Sequence, residues 1–141
     1  MKKIYSLLSP GTLLHTINRF QDIQGSRTSL NEENALLQVA CYKLEKDKKI
    51  NAHIHLPLER KTIGTQESWI VITGSIEAEY YDIDGKLIEK EILHIGDCSI
   101  TLGGGHAIKS LEEGTIIYEH KNGPYYGPEK DKKIIPQGQN V

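Results

Sequence analysis

The sequence predicts an all-β domain, either a two-sheet sandwich or a closed antiparallel barrel. Three observations carry this expectation. Short β-branched or aromatic runs recur along the chain, turn residues separate them at strand-sized intervals, and no helix-length periodic segment follows residue 35. The strand candidates are Val39 to Leu44, Trp69 to Thr73, Ile76 to Ile83, Leu87 to Leu93 and Thr115 to His120. The turns are Gly74-Ser75, Asp84-Gly85, Gly96-Asp97, Gly103-Gly104-Gly105 and Glu113-Gly114. Asp84-Gly85, set between Tyr80-Tyr81 and Leu87-Ile88, is a hairpin signal. Pro10 to Gln24 fits a short helix or a strand pair. Ser29 to Ala35 opens like a capped helix but is too short to continue as one. From Gly123 the prolines forbid a central strand, so an irregular tail should cross the surface or the mouth of the domain.

A chain of 141 residues fits one domain, with a strand-rich core over about 36–121 and a tail over 122–141. At this length roughly two-thirds of the unfolded surface can be buried, so disulfides are not needed. Cys41 and Cys98 sit in apolar, alternating contexts without close spacing and read as reduced, buried thiols. With 17 Lys+Arg against 19 Asp+Glu, the net charge of −2 argues against nucleic acid as a partner. Lys46 to Lys49 and Lys130 to Lys133 are each interrupted by Asp and read as solvated turns. The apolar run after Met1 is stopped by Ser9-Pro10-Gly11, too early for a signal peptide, and no run is long enough to span a bilayer. The expectation is a cytoplasmic protein with neither membrane nor nucleic-acid partner.

Three segments carry chemistry. In His53-Ile54-His55 a strand would place both imidazoles on one face, close enough to share an ion; two exposed histidines are the plain alternative. Glu67 opens the apolar run Ser68 to Thr73, closed by Gly74, and period 2 points it with Trp69 and Val71 toward the apolar side. A carboxylate there must be paired, protonated or bound to a cation, and Arg60 or Lys61 are candidate partners. Finally, Gly96-Asp97 leads into a short strand, a glycine-rich bend and His106. Such glycines would let the backbone aim His106 inward.

The order and spacing of these segments resemble the cupin superfamily. Its first motif runs HxH, a gap, Glu, six residues, Gly; its second begins Gly-Asp and ends in a histidine after a bend. The resemblance covers Asn51 to about Lys121. It implies a cupin double-stranded β-helix, a jelly-roll-like barrel with a short N-terminal strand or irregular segment. It also implies a divalent metal ion (Fe, Mn, Ni or Zn) held by His53, His55, Glu67 and His106. The gap of eleven residues between His55 and Glu67 is longer than the family's, and Glu59 stands at the shorter distance as a rival ligand. Glu67 is preferred because only it is followed by the strand and the glycine turn, which makes Leu56 to Gln66 an insertion at the barrel mouth. Gly103 stands where the family commonly has proline.

More narrowly, Thr65 to Trp69, Gly96 to Ile100 and Gly123 to Gly127 resemble small cupins associated with bacterial surface-polysaccharide biosynthesis. That likeness implies a small-molecule substrate, a sugar or sugar derivative, with isomerase, epimerase or dioxygenase chemistry. A non-catalytic ligand- or metal-binding module is the alternative, and a homodimer is expected. Tyr118 and His120 share one strand face. If that face points inward they are the catalytic candidates; if outward, they meet solvent or a subunit interface. His94 is read as exposed and His15 as structural.

Overall fold

The computed structural model describes residues 1–136. It contains ten strands: β1 (Lys2–Tyr5), β2 (Leu13–Asn18), β3 (Arg27–Ser29), β4 (Ala40–Tyr42), β5 (Glu67–Thr73), β6 (Ile76–Tyr81), β7 (Leu87–Leu93), β8 (Cys98–Thr101), β9 (Gly105–Ser110) and β10 (Ile116–Lys121). A 3-10 turn at Phe20–Asp22 and one helical turn, α1 (Pro128–Asp131), are the helical pieces among the described residues. The segment Pro10 to Gln24 therefore holds β2 and the 3-10 turn, and Ser29 to Ala35 forms no helix.

All the strand pairs are antiparallel. They make a five-stranded sheet in the order β1-β2-β8-β5-β10, a three-stranded sheet β7-β6-β9 and a two-stranded ribbon β3-β4. The sheets do not close into a barrel, so the barrel expectation is corrected to open sheets packed face to face. The physical reason lies in residues 43–66, which contain no strand and leave the outer edge of β9 without a neighbour.

Local sequence explains the clearest strands. In β6, Ile76, Ala78 and Tyr80 are buried while Glu77, Glu79 and Tyr81 are less so, the period-2 pattern of a half-covered strand. The hairpin to β7 turns at Asp84-Gly85, closed by Asp82 N–H to the Lys86 carbonyl at 2.8 Å. Lys90 lies opposite Glu79 and pairs with it. Between β5 and β6, Gly74 has φ +72°, and a Cβ there would come 2.4 Å from Thr115 Oγ1, so only glycine fits this turn.

Two apolar clusters sandwich the larger sheet. On one face Ile4, Ile17 and Val71 meet Ile76, Ala78, Tyr80 and Leu93 of the smaller sheet. On the other, Cys98 and Ile100 meet Leu30, Val39 and Cys41 from β3-β4 and their flanks. Both cysteines are free; Cys98 is buried as the sequence suggests, whereas Cys41 is only partly buried. The tail is irregular as far as Pro136 apart from α1; the remainder of the expected tail lies outside the described residues. No helix of the described residues is long and apolar enough to cross a membrane.

Candidate functional site

The cross-strand register builds a polar row on the inner face of the five-stranded sheet. Lys121 pairs with Glu67, Glu67 with Thr101, Thr101 with His15, and His15 with Ile4. Antiparallel partners share a face, so these side chains all point toward the smaller sheet. The next row places Trp69 beside Ser99, then Ile17. From the opposite sheet, β9 and β6 present His106 beside Tyr80.

The two sheets meet at Glu67 and His106. Glu67 is only 6% exposed, and its Oε1 lies 3.4 Å from His106 Nε2. The edge of the Trp69 indole packs against His106 with ring centroids 4.5 Å apart and fixes the ring's orientation. Burial pushes the Glu67 carboxyl up, but His106, the Trp69 indole and the charge of Lys132 more than offset it and hold the group below its ordinary value. Glu67 is therefore buried as a carboxylate, with His106 in the place expected of Arg60 or Lys61; those two lie on the exposed segment.

Behind the pair lies a second, fully enclosed histidine. His15 is 0% exposed; its Nδ1 is 3.1 Å from Thr101 Oγ1 and its Nε2 3.2 Å from the Tyr81 carbonyl. A carbonyl can only accept, so Nε2 carries the proton and Nδ1 accepts from the threonine hydroxyl. Burial drives the His15 pKa down to about 4, and the nearby His106 adds to that, so the ring stays neutral. Tyr80 packs tilted against His15 with ring centroids 5.0 Å apart and donates its hydroxyl to Ser99 Oγ at 2.9 Å. Burial pushes the Tyr80 phenol up to about 12.

The residues singled out in the sequence divide into two groups. Glu67 and His106 come together from different sheets. His53 and His55 lie on the exposed, strandless segment 43–66, so the expected HxH strand is corrected to irregular chain. Their rings are 5.1 Å apart, and Ile54 between them is 91% exposed. Among the described residues no three His, Cys, Asp or Glu side chains gather into a metal-binding group. Glu59 is likewise exposed on this segment. Tyr118 and His120 pair with Ile70 and Ser68, which puts them on the opposite face of the sheet from Glu67. This is the outward alternative of the sequence reading, toward solvent or an interface; the neighbours of the pair on β10 are Glu119 and Lys121.

Glu67 and His106 supply two kinds of metal-ligand atom, a carboxylate oxygen and an imidazole nitrogen. A charge-assisted hydrogen bond would draw the atoms to about 2.7–2.9 Å. The observed 3.4 Å is longer. Two ligand atoms roughly 2.1 Å from one ion stand about 3.0 Å apart at octahedral angles and about 3.4 Å apart at tetrahedral ones. The buried Nδ1 of His106 has no hydrogen-bond partner among the described residues. On the segment above, His53 Nδ1 donates to the Asn51 carbonyl at 2.9 Å, which leaves the Nε2 lone pair for a ligand bond. No family model, curated protein or solved structure matches this chain.

His15, Thr101, Tyr80 and Lys121 were not read as site residues from the sequence. His15 carried the one available signal, a histidine inside an apolar strand pattern.

Proposed function

We propose that this chain is a cupin-type metalloprotein, with a divalent ion held by Glu67 and His106 and by His53 and His55 brought in from the exposed segment. The single observation that carries this reading is the buried Glu67 carboxylate facing an imidazole nitrogen of the opposite sheet at 3.4 Å. The favoured activity is that of a metal-dependent enzyme acting on a small polar substrate, a sugar or sugar derivative. A bound ion would supply Lewis acidity toward a substrate oxygen or an activated water. The chain's part is to keep Glu67 ionised, to orient His106 against Trp69 and to exclude water with the Tyr80 and Val71 side of the core.

A second reading is a binding module without turnover. It is favoured by the engagement of both His15 nitrogens and by the outward placement of Tyr118 and His120. No free general acid or base among these residues then faces the pair.

Metal content decides the first point. Purified protein loaded with Fe(II), Mn(II), Ni(II) or Zn(II) should retain one ion by elemental analysis. Glu67→Gln should weaken it by about tenfold or more, since even outer-shell changes cost that much. Glu59→Gln should leave it in place, and His53→Ala with His106→Ala should abolish it in a protein that stays folded. Loss of metal in the Glu59 variant with retention in the Glu67 variant would overturn the ligand assignment. No metal with any ion would end the metalloprotein reading. Incubation of the loaded protein with aldoses and keto sugars, followed by NMR, separates enzyme from module: new carbon signals mean turnover, broadening alone means binding.

A further inference from the structure

Beyond β10 the chain returns across the end of the sandwich that carries the pair. Four contacts hold it there. Thr65 Oγ1 donates to Asp131 Oδ1 at 3.1 Å. Lys121 Nζ stands 3.8 Å from Asp131 Oδ2 and 4.4 Å from the centroid of the Tyr125 ring. Ile135 fills the space above Gly85 and Gly105.

Gly105 shows how closely Ile135 is seated. A Cβ built on it would come 2.4 Å from Ile135 Cδ1 and 3.3 Å from Tyr81 Cβ. Its φ is not in the left-handed region, so the missing side chain makes room for Ile135 rather than for an unusual backbone. The clasp at Thr65 and Lys121 adjoins Glu67, while the notch at Gly105 faces the outer side of the smaller sheet with Tyr81. Gly105 precedes His106, Thr65 lies two residues before Glu67, and Lys121 is the cross-strand partner of Glu67. Among the described residues the strap is fastened by one hydrogen bond to a carboxylate, one long ion pair, one cation–π contact and one half-buried isoleucine. Segments held by so few contacts open at low cost.

We propose that the strap Pro128 to Ile135 is a gate over the Glu67–His106 site, latched by Ile135 in the notch at Gly85 and Gly105 and clasped by Asp131 to Thr65 and Lys121. Ligand reaches the pair when the strap lifts. The gate rests on the reading of this pair as a ligand site, but its test needs no ligand.

The test is carbethoxylation of the histidines of metal-free protein by diethyl pyrocarbonate, followed residue by residue by mass spectrometry. The His106 side chain is 24% exposed with the strap in place, and His15 is 0% exposed, so one can speed up while the other reports folding. In Ile135→Ser, His106 should react about fivefold faster or more, with exposed His94 unchanged and His15 still protected. An unchanged His106 rate with His15 protected would overturn the gate. The reverse variant, Gly105→Cys with Ile135→Cys, should form a disulfide on mild oxidation and slow His106 by about fivefold or more, with recovery on reduction. A disulfide that does not form, or that forms without slowing His106, would also overturn it. Because neither readout involves a metal, a failed metal titration beside a positive protection pattern would remove the metal and keep the gate.

Discussion

His15 should make the stability of the metal-free protein depend on pH well above the carboxylate range. Its pKa is about 4 in the fold, and an unfolded chain returns it to the ordinary 6.5. The unfolded state therefore binds more protons between these values, and stability must rise with pH across that window. The contribution is fully present above about pH 6.5 and is lost as pH falls toward 4. The whole shift corresponds to about 3 kcal/mol at roughly 1.36 kcal/mol per pKa unit. Between about pH 7 and about pH 5 the loss works out at about 2 kcal/mol. The assay is urea unfolding in chelator at a series of pH values, comparing the wild type with His15→Gln, whose side chain cannot titrate. Carboxylates contribute to both proteins and cancel in the difference, and equal m-values would show that the same transition is being compared. The difference curve should fall by about 2 kcal/mol over that range. A flat difference would mean that His15 is not held neutral by burial, and the account of this end of the fold would be wrong.

Two further outcomes test the core on either side of the larger sheet. Tyr80→Phe removes the donor to Ser99, whose hydroxyl is 1% exposed, and should cost about 1–3 kcal/mol in urea unfolding with little change in the far-UV spectrum. A neutral result would show that Ser99 finds another partner. Cys98 is 4% exposed and burial pushes its thiol up to about 12, so in native protein it should resist thiol reagents and react only on unfolding. Rapid native labelling of Cys98 would contradict the covering of that face by β3-β4.

The strands that were legible are those with one covered face. β6 alternates cleanly, and its Asp84-Gly85 turn to β7 is local, so this hairpin needs no tertiary information beyond a half-buried sheet. β2 was ambiguous because five of its six residues are buried, with the smaller sheet on one face and the β3-β4 side on the other. Alternation disappears when both faces are covered. The HxH pattern has the spacing of a strand, but a strand also needs a neighbour, and residues 43–66 have none. Period 2 told that Tyr118 and His120 share a face but not which one. That was decided by the register with β5, where Ile117 lies opposite Val71 after a bulge.

The location of the candidate site follows from the same non-local pairing. Along β5, Glu67, Trp69 and Val71 run from polar to apolar on one face, and that gradient is visible in the sequence. What extends it across the molecule is the register: Thr101 and His15 fall level with Glu67, whereas Ile117 falls level with Val71. One end of the space between the sheets is thereby polar and hydrogen-bonded and the other is apolar. His106 then enters from β9 at the polar end, where a buried carboxylate needs a partner. No single segment encodes this. Glu67 is affordable in the core because residues 15, 101 and 106, remote in sequence, are brought level with it by strand pairing, and a register slip of one residue would turn His15 and Thr101 to the β3-β4 face and leave the carboxylate flanked by Thr16, Ile100 and an apolar wall.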